Sequence, residues 1–247
     1  MKVETEYKCG CVYSNNRWFP ECPRHAEWWQ AQAGTGDSAF VEKKHKTKRV
    51  KLLYTNDTLK AIHEKIHDDS IGMILTYPMF QYDDMEFEAD PYFTALASKL
   101  QRDGTLAIMA DSENIAALIL KLEASGFYVK RFARLLYGQE SDVDTCNVLL
   151  FANLSDAPIK CKYWQRIPDV FYVSSVATTE SYLVANLTDE NAIVFDPFCT
   201  NAHTLDGTLH EGRKFIGFCQ GAIQFDQLKF YTDNFKADQD VFKRNSD

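Results

Sequence analysis

The sequence predicts an α/β protein with a mostly parallel sheet, and the alternation of two kinds of segment along the chain indicates this fold class. From residue 50 onward, short apolar runs alternate with amphipathic stretches of helical length. Such alternation is typical of buried parallel strands with helices on both faces. The chain has 247 residues, of which 45% are hydrophobic and 25% charged. This composition excludes disorder or a coiled coil as the dominant state and allows one large domain with a small addition.

The predicted elements follow one another in a regular order. The apolar runs predict strands at residues 50–54, 72–75, 105–109, 127–132, 146–151, 192–195 and 214–218. The amphipathic stretches predict helices at residues 58–66, 91–100, 112–125, 178–187 and 205–211. No segment of helical length separates the strands at 127–132 and 146–151. These two strands are therefore expected to form an antiparallel hairpin at the edge of the sheet.

Residues 1–40 are predicted to form a separate small zinc-binding module. They contain Cys9, Cys11, Cys22 and His25 within a segment that has little hydrophobic periodicity. Three thiolates and one imidazole suit a closed tetrahedral zinc site, and a metal would explain how so short a segment folds. The Cys-x-Cys spacing is tighter than usual for zinc ligands. Buried thiols beside a surface histidine are the alternative interpretation.

Residues 41–51 form a basic linker between this module and a domain at 52–247. The cations of the linker are Lys43, Lys44, Lys46, Lys48, Arg49 and Lys51. One interpretation is an arm that contacts the phosphates of nucleic acid, most simply DNA, and the other is a solvated linker. The formal net charge of -8 excludes a protein that wraps nucleic acid on all sides, but it allows contact along one face.

The location expected from the sequence is intracellular, either cytoplasmic or nuclear. Residues 1–20 carry Lys2, Glu4, Glu6 and Lys8 and have no continuous apolar core, so they do not resemble a secretory signal. No stretch approaches the length of apolar sequence that spans a bilayer. In a reducing compartment the seven cysteines are expected to be buried thiols or metal ligands.

Two loops are the candidate binding sites, because ligands of open α/β sheets lie beyond the carboxyl ends of the strands. The strand at 72–75 is followed by Thr76 and then by Tyr77-Pro78-Met79-Phe80. The strand at 192–195 is followed by Asp196-Pro197-Phe198-Cys199-Thr200-Asn201-Ala202-His203. A further polar residue, Asp57, follows the strand at 50–54.

Taken together in this order, the segments resemble the amino-methylating DNA methyltransferases, which act on N6 of adenine or N4 of cytosine. The resemblance is to the permuted subgroup, whose catalytic segment (Asp, Asn or Ser, then Pro-Pro-Tyr) precedes its cofactor segment (Asp-Pro-Phe-x-Gly-x-Gly-Thr). A downstream Gly-Arg-x-Phe-Ile-Gly motif corresponds to residues 212–217 here. The likeness covers residues 50–217, about two-thirds of the chain. It implies a Rossmann-like class I methyltransferase sheet, S-adenosylmethionine as cofactor and a nucleic-acid substrate.

Compared with the family, this chain departs from the pattern at the residues that carry the chemistry. At the catalytic positions, Tyr77 replaces the polar acceptor, Met79 replaces the second proline and Phe80 replaces the tyrosine, while Pro78 is retained. The phenol of a tyrosine is protonated near pH 7 and is a poor acceptor for the amine of a flipped base.

The cofactor positions depart in the same way. Thr200 and Ala202 replace both glycines, and Cys219 replaces the acid that binds the ribose hydroxyls in the family. Asp57 and the Asp196-Pro197-Phe198 segment retain the family pattern of cofactor contacts.

These departures lead to three hypotheses about function. The first is a catalytically inactive methyltransferase-like protein that binds nucleic acid or a protein partner such as an active methyltransferase subunit, or that forms a homo-oligomer. The second is an active amino-methyltransferase with altered motifs, in which Tyr77 serves as acceptor. The third is a protein-interaction module whose old cofactor cleft is filled by side chains.

Overall fold

A computed structural model describes residues 42–77, 89–112, 115–137, 147–156, 159, 164–173 and 176–244. The chain divides into two compact units between Val41 and Glu42. The first unit, Met1–Val41, lies outside the described residues, and with it the predicted zinc ligands Cys9, Cys11, Cys22 and His25. The description below therefore concerns the unit that begins at Glu42.

Nine strands form one mixed sheet within the described ranges. They are β1 (Lys43–Lys46), β2 (Val50–Tyr54), β3 (Ile71–Thr76), β4 (Leu100–Asp111), β5 (Tyr128–Tyr137), β6 (Asn147–Asn153), β7 (Val170–Val173), β8 (Ile193–Asp196) and β9 (Lys214–Cys219). Their order is β1-β2-β9-β8-β3-β4-β6-β5-β7. The central run from β2 to β4 is parallel throughout, so the prediction of a mostly parallel α/β sheet is confirmed.

Six α-helices in the described ranges cover the two faces of this sheet. They are α1 (Thr58–Lys65), α2 (Ala89–Lys99), α3 (Ile115–Ala124), α4 (Val176–Leu187), α5 (His203–His210) and α6 (Ala222–Arg244). Residues of α1, α2 and α3 share one apolar cluster with the sheet. Residues of α4 form a second apolar cluster with the sheet, and residues of α5 and α6 form a third. All five predicted helices are present, and α6 is an addition that the sequence pattern did not predict.

The prediction that the β5–β6 hairpin forms the edge of the sheet is wrong. β5 and β6 do pair antiparallel, but β6 pairs with β4 on its other side, and β7 pairs parallel with β5 to form the outer strand. A short connection indicates which two strands pair with each other. It does not indicate whether a further strand pairs with the outer strand of the hairpin. The free backbone groups of that strand can pair with any neighbouring strand, whatever its side chains are.

The basic run forms strand β1 and the first two residues of β2 at the opposite edge of the sheet. Residues 43–46 form β1, which pairs antiparallel with β2, and β2 pairs in parallel with β9. The backbone nitrogen of Thr47 donates to the carbonyl of Val50 at 2.8 Å and closes the turn between the strands. Most of the predicted 41–51 linker therefore lies within the sheet of the second unit.

The parallel arrangement brings the two candidate loops to one edge of the sheet. β3 pairs with β8 through Ile74 and Phe195, and β8 pairs with β9 through Asp196 and Gly217. The carboxyl ends of β2, β9, β8 and β3 consequently lie side by side. Residues that follow these strands are distant in sequence but adjacent in space.

Candidate functional site

The carboxyl ends of β3 and β8 are joined by a buried hydrogen bond. The Thr76 hydroxyl donates to Asp196 Oδ1 at 2.7 Å. The backbone nitrogen of Phe198 donates to the same oxygen at 3.1 Å. Thr76 and Asp196 are only 1% and 5% exposed. The Asp196 carboxyl group therefore joins two strand ends and shapes the loop that follows β8.

Burial of Asp196 dominates its electrostatics. Loss of solvation raises the pKa of Asp196 to about 6, because a charged carboxylate is costly in a low-dielectric interior. Hydrogen bonds from Thr76, the Phe198 backbone, Cys199 and Thr204 act in the opposite direction. Several donors inside the protein thus take up the acceptor capacity of this carboxyl group.

Two cysteines are buried at this part of the site, Cys199 within the loop and Cys219 at the end of β9. Cys199 and Cys219 are free thiols that are 1% and 0% exposed. The hydrogen bond with Cys219, together with burial, raises the pKa of Cys199 well above its usual value. The Cys219 carbonyl accepts from the backbone nitrogen of Thr55 at 2.9 Å. Cys219, a predicted cofactor position, therefore points into the core.

The loop between β8 and α5 has no glycine-like backbone conformation. Among the described residues, the positive-φ positions lie at Asp69, Asn191, Gly126 and Gly212, all outside residues 197–202. Thr200, at the first lost glycine position, is exposed. At the positions where the family has glycines, this chain therefore has residues with a β-carbon and an ordinary backbone conformation. Glycines there would allow the backbone to approach a ligand closely.

The start of α5 is capped from within the chain. The Asn201 side-chain oxygen accepts from the backbone nitrogen of His203 at 3.0 Å, whereas the N-cap residue Ala202 has no side chain that can cap. Burial lowers the pKa of His203, which favours its neutral form. The first turn of this helix therefore has one of its free N–H groups satisfied by the loop itself.

Asp57, Tyr92 and Phe198 form a second part of the site. The rings of Tyr92 and Phe198 lie 5.8 Å apart at an interplanar angle of 45°. Burial raises the pKa of Tyr92, and the negative charge of Asp57 raises it further. Asp57 is exposed and caps α1, since its Oδ1 accepts from the backbone nitrogen of Lys60 at 2.9 Å. Of the predicted cofactor positions, Phe198 thus contacts the half-buried ring of Tyr92, and Asp57 is near enough for its charge to act on the Tyr92 hydroxyl.

The remaining predicted cofactor and catalytic positions divide between the core and the undescribed residues. Pro197 is buried. Tyr77 is half-buried and packs against the apolar cluster that contains Met73 and Leu75. The other catalytic positions, Pro78, Met79 and Phe80, lie outside the described residues.

Of the residues that carry this geometry, Thr76, Tyr92 and Glu180 are not identified as site residues from the sequence. Glu180 is the only charged residue of α4 and is 2% exposed, and its Oε2 has no hydrogen-bond partner among the described residues. Loss of solvation raises its pKa to about 8, and the charges of Asp196 and Asp206 add to this effect. A single acid in an apolar helix is the signal that could have drawn attention to Glu180.

The structure also places the predicted nucleic-acid contacts. Lys44, Lys46, Lys48 and Arg49 are exposed on β1 and the turn that follows it. Lys43 lies 3.3 Å from Asp226 of α6 in an ion pair. The described ranges contain no cluster of three or more His, Cys, Asp or Glu residues suited to hold a metal ion, and no helix in those ranges is long and apolar enough to cross a membrane.

Comparisons with known proteins give structural but no sequence matches. No protein-family model and no curated protein matches the chain. Among solved structures, M1.HpyAVI is 19% identical with a TM-score of 0.60, covering 74% of this chain and 98% of its own. The cytosine-N4-specific PvuII DNA methyltransferase is 16% identical with a TM-score of 0.60, covering 71% and 83%.

A third similar structure is TTHA0409 of Thermus thermophilus, solved in complex with S-adenosyl-L-methionine. It is 16% identical with a TM-score of 0.61, and the match covers 73% of this chain and 92% of that one. At these identities the likeness concerns the fold. The resemblance to DNA methyltransferases predicted from the sequence motifs is confirmed at that level.

Proposed function

We propose that this chain is a methyltransferase-fold protein that binds nucleic acid and does not transfer methyl groups. One observation carries the second part of the proposal. Two polar positions of the cofactor motifs, Asp196 and Cys219, are turned into the protein: Cys219 is fully buried, and Asp196 Oδ1 already accepts from Thr76 and Phe198. Transfer from a cofactor requires positioned groups that face the ligand, and these groups face the core.

The residues present do not fit S-adenosylmethionine as a whole. The Tyr92–Phe198 ring pair beside Asp57 suits a planar, hydrogen-bonding ring such as adenine. The acid that would bind ribose hydroxyls is replaced by the inward-facing thiol of Cys219. Exposed Thr200 carries a side chain where the family has glycine. Only one part of such a cofactor therefore meets a matching surface.

Calorimetric titration with S-adenosylmethionine tests this proposal. We expect no saturable heat up to about 1 mM ligand, a concentration that corresponds to about 4 kcal/mol of binding free energy. The Thr200→Gly/Ala202→Gly variant restores both glycines and should increase binding if the loop is the obstacle. A dissociation constant in the micromolar range for the unmodified chain would contradict the proposal, as would methyl incorporation into DNA.

An active amino-methyltransferase is the second candidate, and the Tyr92–Phe198 pair beside Asp57 is the observation that favours it. The same titration separates the two candidates. If the chain binds the cofactor through this surface, Phe198→Ala should abolish the binding heat. If the chain is inactive, Phe198→Ala should leave the absence of heat unchanged and affect only folding stability.

The nucleic-acid part of the proposal is supported by the exposed cations of the β1–β2 turn and by the fold. One similar solved structure is a DNA methyltransferase, and DNA is therefore the nucleic acid we propose. Phosphate contacts by lysine and arginine supply most of the sequence-independent affinity of DNA-binding proteins. Binding of a labelled duplex, measured by fluorescence anisotropy, tests this part separately from the cofactor titration.

A further inference from the structure

The β1–β2 hairpin has two faces that differ in charge environment. In the antiparallel pair, Lys43 lies opposite Tyr54 and His45 lies opposite Leu52. On this face Lys43 Nζ is 3.3 Å from Asp226, and His45 Nε2 is 3.3 Å from Asp233, both on α6. The lysine of this face, Lys43, is therefore paired with an acid of the helix that covers it, and the His45 ring lies beside a second acid of the same helix.

Lys44, Lys46 and Lys51 belong to the other face, because side chains alternate along a strand and Lys46 lies directly opposite Lys51. The Lys51 ammonium donates to the carbonyl of Lys65, the last residue of α1, at 2.9 Å. Burial lowers the pKa of Lys51, and the positive charges of Lys46, Lys44 and Lys65 lower it further. These four ammonium groups are therefore close enough to repel one another.

Few carboxylates balance this crowding. Lys44 pairs with Glu42 at 2.6 Å, and Glu64 of α1 lies 4.0 Å from Lys60 and 3.5 Å from Lys65. None of the ion pairs within the described part of the chain includes Lys46, Lys48 or Arg49. We call the following set the basic face: Lys44, Lys46, Lys48, Arg49, Lys51, Lys60 and Lys65.

Most of the basic face lies at the opposite end of the strands from the candidate cofactor loop: Lys46 is opposite Lys51, and Lys51 contacts the end of α1 at Lys65. Lys44, opposite Leu53, and Lys60, in the first turn of α1, extend the face towards Asp57. Lys51 is the second residue of β2, and the Lys48–Arg49 turn precedes that strand. β2 pairs in parallel with β9, so the Cys219 end of β9 lies beside Tyr54. At about 3.3 Å per residue, a strand of this length separates the two ends by roughly 13 Å. A ligand on the basic face therefore does not need to enter the cofactor loop.

We propose that the basic face binds the phosphate backbone of nucleic acid, with Lys60 and Lys65 of α1 acting together with the hairpin lysines. This inference rests on the nucleic-acid part of the proposed function and specifies its surface. Protein interfaces have apolar, aromatic centres that are depleted in lysine. The large exposed apolar side chains of the described residues are Leu120, Tyr128, Phe132, Leu136, Tyr182 and Phe230, and none of them belongs to the hairpin or to α1. A face made of cations fits a polyanion better than it fits a protein surface.

Two charge-matched variants test which face of the hairpin binds. Lys46→Gln/Lys65→Gln removes two charges from the basic face. Lys43→Gln/Lys229→Gln removes two charges from the α6 side, where Lys43 pairs with Asp226 and Lys229 pairs with Asp233. Affinity for a labelled duplex of arbitrary sequence is measured by anisotropy with the full chain between about 50 and 200 mM salt, the range over which phosphate contacts weaken most visibly. Thermal unfolding of each variant confirms that it is folded.

For the basic-face variant we expect the slope of log K against log salt to fall by about 2, with roughly fiftyfold weaker binding at about 0.1 M salt. The α6-side variant should keep the slope and affinity of the unmodified chain. Equal weakening of both variants would show that net charge alone matters and would overturn the inference. Polyglutamate binding with the affinity of DNA would overturn the assignment to a phosphate backbone.

The outcomes also separate this inference from the rest of the proposed function. If both variants bind DNA equally weakly, the assignment of binding to the basic face is contradicted, but the proposal that the chain binds nucleic acid still holds. The absence of DNA binding by the unmodified chain contradicts both. The cofactor titration is independent of either result, because the substituted residues Lys46 and Lys65 lie at the other end of the strands from the cofactor loop.

Discussion

The buried carboxyl group of Glu180 predicts an unusual dependence of stability on pH. Glu180 is 2% exposed, and its pKa is raised from the ordinary 4.5 to about 8. It is therefore protonated in the folded protein at neutral pH but ionised in the unfolded chain. Above pH 4.5 the unfolded state releases this proton and the folded state keeps it, so folding becomes less favourable as pH rises towards 8.

The size of the effect follows from these two pKa values. At about 1.36 kcal/mol for each pH unit, the complete titration corresponds to about 5 kcal/mol. About 2.5 kcal/mol of this is expected between pH 5 and pH 7. Glu180→Gln removes the titration while preserving the shape of the side chain. The stability of the variant relative to the unmodified chain should therefore increase by that amount over this range.

Urea unfolding at pH 5, 6, 7 and 8, followed by circular dichroism, measures this difference. Any constant cost of burying the amide cancels, because only the change with pH is compared. Glu190→Gln is the matched control, since Glu190 is exposed in the turn after α4. If the difference between Glu180→Gln and the unmodified chain does not vary with pH, the reasoning about this carboxyl group is wrong.

Three other substitutions have expected outcomes that unfolding experiments check. Gly207→Ala should destabilise the protein by about 1–3 kcal/mol, because the added β-carbon would lie 2.6 Å from the backbone nitrogen of Ser181. In an open helix the same change usually stabilises by about 1 kcal/mol, and such a gain here would contradict the close packing of α4 and α5. Asp57→Ala should cost about 1 kcal/mol and Asp57→Asn little, since both Asp and Asn cap helices well; equal losses would argue against the cap. Thr76→Val should lower the free energy of unfolding by about 1.5–3 kcal/mol at pH 7, where Asp196 is mostly ionised, and by less at pH 5. A loss of stability that does not vary with pH would show that the hydrogen bond to the carboxylate is unimportant.

Much of the central sheet is predictable from local pattern. The range predicted for β2, residues 50–54, agrees with the structure, and the ranges for β3, β8 and β9 agree to within one or two residues. These strands are apolar because both of their faces are covered, and complete burial leaves a continuous apolar signal. β1 gives no such signal: its sequence is Lys-Lys-His-Lys, and backbone pairing to β2 decides its conformation.

The candidate site shows the same division. Asp57 and Phe198 are identified from motif order, and in the structure Phe198 contacts the ring of Tyr92 while the charge of Asp57 raises the pKa of the same tyrosine. The sequence does not show that Cys219 faces inward, nor that Thr76 takes up the Asp196 carboxyl group. Both facts depend on the pairing of strands that are distant in the chain. Thr76 and Asp196, for example, are 120 positions apart in the sequence.

The sequence by itself determined the fold class, the order of the motifs and the residue types at the positions where cofactor chemistry would occur. It did so because periodicity and residue identity are local properties of the chain. Only the tertiary structure decided which way those residues face and which lysines share a surface. Lys43 and Lys44 are adjacent in sequence, yet one pairs with α6 and the other belongs to the basic face. The pleat of a strand places neighbouring side chains on opposite sides, and packing against different helices gives the two lysines different partners.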